Sequence, residues 1–313
     1  MLPRVLVLAA VAFLCILTSM GAVATAQRTF VASNGNDANP CSLVSPCRSF
    51  ASAIAQTTSG GEVIVLDSAG YGPVTITQSV SIIAPSGVYA GISVPLDGTG
   101  VAITGAGVHV LLRGLTINNI GGGANAVGIG MTNGAALRIE SCAISNFPLG
   151  FGALIQTAAS VKIADSVFSD VFHGAIAGYG AKVSIVNSQF FRMGTEGVAI
   201  EGGMSGTTVI NITDSLVSGF GASVGSECIA NHAPLGSVGN IVVSHVTVTE
   251  CGYAIYNQPD GAGTMTVSNS IVAGNGFGFD NYGSPGTFNS LSTNLLSGNV
   301  MDTTGTIAHI SGQ

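Results

Sequence analysis

Charged side chains that could act together are scarce in this sequence. Arg113, Arg138, Glu140 and Lys162, with Asp165 just beyond, form their one concentration at positions facing away from the apolar pattern of the chain. A guanidinium can grip a carboxylate through two parallel hydrogen bonds, so Arg113, Arg138 and Lys162 could line a groove for uronate or other acidic sugar groups. The plainer reading is a set of exposed ion pairs, Arg113 with Glu140 and Asp170 with Arg192, each worth at most about 1 kcal/mol. Asp165 and Asp214 offer a carboxyl pair about 9–10 Å apart if they lie two stacked units apart, near the ~6.5–9.5 Å that inverting glycoside hydrolysis needs. Both fall in a row of turn residues, which already accounts for them. Glu201, Asp260 and Asp280 lie in later loops close to Tyr256 and Tyr282, and in a chain without tryptophan these tyrosines are the best platforms for stacking on a sugar ring.

The elements that must carry these residues follow from a pattern that recurs seven times between Val110 and Val272. Its first position reads Val110, Leu137, Val161, Val183, Ile210, Ile241, Met265, and its second, two residues on, reads Leu112, Ile139, Ile163, Ile185, Ile212, Val243, Val267. A spacing of two puts side chains on one face of a β-strand. Three residues further comes Leu115, Cys142, Ser166, Ser188, Ser215, Val246, Ser270, so a bend joins two strands. Successive third positions are 27, 24, 22, 27, 31 and 24 residues apart. A period of this length without helical spacing signifies a solenoid, each unit one coil of a parallel β-helix. The residue before the third position is small or polar in every copy (Gly114, Ser141, Asp165, Asn187, Asp214, His245, Asn269), as a corner requires. Asn231, Asn257 and Asn281 align at a later corner, where stacked amides can bond along the coil.

The whole chain agrees with such a fold. Of 313 residues, 47% are hydrophobic, only 7% are charged and 45 are glycine, which suits a core running the full length between tight corners. Met1 to Arg4, apolar Val5 to Leu17 and the small-x-small Ala24-Thr25-Ala26 read as an export signal, with the mature chain starting near Gln27. Leu14 before Cys15 argues against lipid attachment. Losing Arg4 leaves seven basic against 15 acidic residues, a formal charge of −8. That charge, with two lysines, argues against nucleic acid. No later apolar run reaches the ~20 residues of a membrane helix, and neither a phosphate-binding loop nor zinc-ligand spacing is present. A soluble protein, secreted or periplasmic, is expected. Export permits disulfides: Cys41 and Cys47 flank a Pro-rich turn and should pair. Cys142 reads as a buried filler, and Cys228 and Cys251, about three residues out of register, leave a bond or two free thiols open. Residues 48–59 form the one helical stretch, capped by Ser49 and ended by Gly60-Gly61, as a lid over the open end of the solenoid. The expected organisation is a signal peptide at 1–26, an N-terminal cap with disulfide loop and helix at 27–61, a parallel β-helix at 62–300 and a C-terminal cap or tail at 301–313.

Pro46-Cys47-Arg48-Ser49-Phe50 leading into a helix, then Gly60-Gly61-Glu62-Val63, the Gly70-Tyr71-Gly72 turn and short strands resemble the N-terminal end of right-handed parallel β-helix proteins of the pectate lyase superfamily. The resemblance covers roughly residues 28 to 300 and implies an all-β, right-handed solenoid. That superfamily spans lyases, hydrolases, epimerases, tailspikes and proteins with no known chemistry, so fold does not name activity. A lyase of this kind would need several carboxylates on Ca²⁺ and a basic proton acceptor, yet only Glu140 and Asp165 lie near the basic residues. A polygalacturonase-like hydrolase would carry Asn-Thr-Asp, Asp-Asp, Gly-His-Gly and Arg-Ile-Lys. Here Phe172-His173-Gly174 and Arg138-Ile139-Glu140 occur in reversed order, and Asp-Asp is absent. The expectation is an exported, non-catalytic element that binds glycans, adheres or supports structure, with no metal or cofactor. Its rival is a polysaccharide lyase or glycoside hydrolase acting on an acidic polysaccharide, with Ca²⁺ only in the lyase case.

Overall fold

The computed structural model describes residues 25–203, 205–220, 225–282 and 285–311; the expected export signal through residue 24 lies outside them. Among the described residues every strand pair is parallel, and the strands form one 12-stranded and one 18-stranded sheet. The larger sheet holds two columns joined where the long strands Ala143–Ile155 and Val167–Ala177 bend from one into the other. Each coil therefore contributes three strands around a shared core.

The inward files stack as the spacing predicts. Leu112, Ile139, Ile163, Ile185, Ile212, Val243 and Val267 pair in unbroken register and are all buried. Each such side chain contributes about 1.5–3 kcal/mol. Phe168 and Phe190 stack inside at 4.6 Å between ring centroids. All seven residues before the third position have left-handed backbone, with φ from 47° at Asn187 to 72° at Gly114. This corner interrupts the backbone ladder, and the serines beside it repair it. Ser166, Ser188, Ser215 and Ser270 each donate to the carbonyl two residues back and accept an N–H from the preceding coil. At the later corner the Asn231, Asn257 and Asn281 amides bond in series at 2.9 Å each, satisfying groups that would be costly to bury alone.

The lid helix spans Phe50–Gln56, with Ser49 as its N-cap and Phe50, Ala53 and Ile54 buried. It stops short of the expected Gly60-Gly61. Thr57 closes it by bonding its N–H to the Ile54 carbonyl and its hydroxyl to the Ala53 carbonyl, and Thr57–Val65 continues as a strand. Cys41 and Cys47 are bonded. Cys228 and Cys251 are bonded too, resolving the open alternative. Their three-residue offset is real, since Glu227 pairs with Tyr253, but the turn before Tyr253 brings the Cα atoms to 5.9 Å. Cys142 is free and buried, its thiol pushed up to about 11 by burial. Stacking continues past residue 300, with Met301–Gly305 on Phe277–Asn281 and Ala308–Ile310 on Gly286–Leu291. Among the described residues no helix is long and apolar enough to cross a membrane.

Candidate functional site

The basic residues singled out from sequence lie on the outer face of the 12-stranded sheet, where one carboxylate occupies two of them. Glu140 accepts from Arg113 at 2.6 and 2.9 Å and, through its other oxygen, from Arg138. Partial burial opposes ionisation of Glu140, but the hydrogen bonds and charges of both arginines outweigh it and hold the carboxyl below its usual range. Lys162 stands beside Arg138 in register but borders, with Lys182, a separate shallow depression. The three cations do not converge on one groove. Asp165 is a corner residue that accepts from the Asn187 amide at 2.6 Å; Asp214 takes the same left-handed turn, and the exposed His245 bonds Ser244. Glu140→Gln is expected to lower the thermal unfolding free energy by about 1 kcal/mol at neutral pH. Because the native pKa is depressed, that difference should vanish as pH falls through the acid range.

A different set of side chains converges on the outer face of the column containing Glu196–Ile200, Glu227–Asn231 and Tyr253–Asn257. One file runs Phe151, His173, Glu196, Glu227, Tyr253, Phe277 through successive coils. A second runs Leu154, Ile176, Ala199, Ala230, Tyr256, Asp280. Just beyond the strand ends come Glu201, His232, Gln258 and Tyr282. Ala199 and Ala230 are fully buried, and as small residues they make a low floor across which longer side chains meet. His232 reaches over Ala230 to Glu227, Nε2 to Oε2 2.5 Å. One coil earlier Glu201 occupies the equivalent place relative to Glu196, and the two interact electrostatically.

Aromatic rings hold the ends. His173 lies flat on Phe151 at 4.5 Å and edge-on to Phe172 at 4.7 Å, with Nδ1 bonded to Glu196. Tyr256 packs against Tyr253 and edges His232, and its hydroxyl donates to Gln258. Tyr256 is 8% exposed and Tyr282 63%, so of the two tyrosines singled out only Tyr282 offers a free face. Asp280 is buried with Oδ1 unpartnered, whereas Asp260 is exposed.

The electrostatics separate the carboxyls. Burial, and then the charge of Glu196, push Glu201 above the usual glutamate range. Burial and then Glu227 raise Asp280. For His232 burial favours the neutral ring, but the bond to Glu227 and the surrounding negative charge prevail, so it keeps its proton to higher pH. Glu196 and Glu227 each have an imidazole partner, and Glu201 has none. The ligand atoms of Glu196, Glu227 and His232 lie within 4.8 Å of one another; two carboxylates and an imidazole could hold a divalent ion, though the Glu227–His232 bond occupies two of these atoms. Without metal the arrangement suits acid–base work: a carboxyl whose hold on its proton burial strengthens lies beside glutamates that histidines hold in place.

The model of the family described as "Right handed beta helix region" matches residues 63–214 and 99–257, overlapping spans that exceed half the chain. The chain belongs to this β-helix family. Among solved structures it is similar to the pectate lyase Pel9A, with 16% identity, a TM-score of 0.65, and 90% of this chain and 79% of that one covered. It is also similar to the GH136 lacto-N-biosidase from Eubacterium ramulus, with 9% identity, a TM-score of 0.50, and coverage of 90% and 68%. At such identities the likeness is one of fold. No curated protein sequence matches the chain.

Sequence reasoning missed His173, Glu196, Glu227 and His232. The signal was a second register: Glu196-Gly-Val-Ala-Ile-Glu201, Glu227-Cys-Ile-Ala-Asn-His232 and Tyr253-Ala-Ile-Tyr-Asn-Gln258 share a polar–small–apolar–variable pattern. Its asparagine row, Asn231, Asn257 and Asn281, is the part of it that stands out.

Proposed function

We propose that this β-helix protein is an exported glycoside hydrolase whose site is the outer face around Ala199 and Ala230. The observation that carries it is the assembled cluster of Glu196, Glu201, Glu227, His173 and His232, because the non-catalytic expectation rested on the lack of any such constellation. In this reading Glu201 delivers a proton to the leaving glycosidic oxygen. Glu196 or Glu227, oriented by its histidine, faces the developing oxocarbenium centre or activates water. The paired disulfides suit an oxidising compartment and so favour export.

The test is incubation with a panel of neutral and acidic polysaccharides, following new reducing ends. Wild type should release them from at least one glycan, and Glu227→Gln should lose most of that release while still binding. Binding without product would return the protein to the adhesive or structural class. An ultraviolet-absorbing unsaturated product would make it a lyase. Activity should survive a chelator; loss on chelation with recovery on adding Ca²⁺ or Zn²⁺ would instead make Glu196, Glu227 and His232 ligands.

A further inference from the structure

A cavity of about 510 Å³ lies at the corner that precedes the cluster and is lined by Asn146, Ser169, Asp170, Phe172, Arg192 and Phe220 among others. Its size suits a small-molecule site. It adjoins the candidate site directly: the Phe172 ring that forms its wall also edges His173, and Gly194 at its margin lies two residues before Glu196.

Its corner is turned by residues with side chains. Asn146, Asp170 and Arg192 occupy successive coils, all with left-handed backbone, φ 66°, 56° and 59°. Two coils near the far end use glycine at the corresponding corner, Gly274 and Gly298, φ 70° and 67°. Glycine takes this conformation without steric cost, whereas a side chain such as arginine pays about 1 kcal/mol. Asn146 and Asp170 are residue types that tolerate it, and Glu250 takes it in a later coil at φ 59°, so the corner alone assigns no role and these side chains count through what they offer the cavity.

Their chemistry is that of a sugar subsite. Asn146 and Ser169 offer an amide and a hydroxyl, and Phe220, 65% exposed, offers an open ring over which Arg192 lies at 5.9 Å. Arg192 is bonded to Asp170 through one nitrogen, which cancels the charge locally and leaves further N–H groups. A carboxylated sugar would have to compete with Asp170 and lie against Glu196, Glu201 and Glu227 in a protein of net charge −7. The geometry points to this cavity as a subsite for an uncharged sugar unit, so that the hydrolase acts on a neutral glycan; this rests on the hydrolase reading and reverses the acidic substrate that the sequence attached to its enzyme alternative.

The experiment is titration calorimetry of the Glu227→Gln protein, which should not consume its ligand, with neutral hexasaccharides of β-1,4-glucan, β-1,4-mannan, β-1,4-galactan and β-1,3-glucan, and with oligogalacturonate. At least one neutral hexasaccharide should bind, and oligogalacturonate should not. Adding Phe220→Ala or Arg192→Gly should weaken that binding about tenfold, or about 1.4 kcal/mol. Arg192→Gly relieves the left-handed corner and so should not unfold the protein, and circular dichroism checks this. Tighter binding of oligogalacturonate, binding of no neutral sugar, or neutral binding indifferent to both substitutions each overturns the subsite. The two readings can fail separately. Binding that Phe220→Ala weakens, in a wild type releasing no reducing ends, keeps the subsite and ends the hydrolase. Hydrolysis indifferent to Phe220→Ala does the reverse.

Discussion

Glu201→Gln is expected to lower kcat on the glycan by about 10²- to 10⁴-fold, the usual contribution of a positioned general acid, with little change in binding. The amide is nearly isosteric and replaces a half-buried carboxyl that burial and Glu196 already hold towards its protonated form, so the fold should lose nothing. The pH profile tells a chemical role from a structural one. A general acid works while protonated, so wild-type activity should fall as pH rises through the elevated Glu201 pKa. In Glu201→Gln the residual rate should lose that alkaline limb. A variant with the alkaline limb intact would remove Glu201 from the proton-donor role and leave Asp280, also raised by burial and unpartnered at Oδ1, as the next residue to replace.

The fold was legible because a β-solenoid writes itself into sequence at short range. Leu112, Ile139 and Ile163 face one core, and each recurs with its own corner residue, so spacing and turn chemistry fix strand, bend and period together. The cluster was not legible, because outward positions carry no such constraint. Glu196 and Glu227 look like isolated surface acids until Val198 and Ile229 are placed inward and the strands paired. The Arg113, Arg138 and Glu140 group was conspicuous for the opposite reason, since charge stands out in a chain with so little. Its members lie within one repeat of each other, and the structure shows them neutralising one another. In a solenoid, function depends on which outward residues share a file, and that requires the register of every column.

The Cys228–Cys251 bond belongs to the same register, and removing it should damage stability and activity together. Cys228 follows Glu227 and points into the core, while Cys251 lies in the turn leading to Tyr253. Closing a loop of this length restricts the unfolded chain by about 3 kcal/mol, against about 2 kcal/mol for the short Cys41–Cys47 loop. The double substitution Cys228→Ser, Cys251→Ser should therefore lower the unfolding free energy by about 3 kcal/mol, read from denaturant titration, and leave two buried hydroxyls that need new partners. It also frees the start of the strand that presents Glu227, whose carboxylate must stay within hydrogen-bonding reach of His232 at the far end of the same strand. Activity should consequently drop well below that of Cys41→Ser, Cys47→Ser at a temperature where both proteins remain folded. Equal activities in the two double variants, with only stability changed, would show that the bond closes a loop and has no part in placing Glu227.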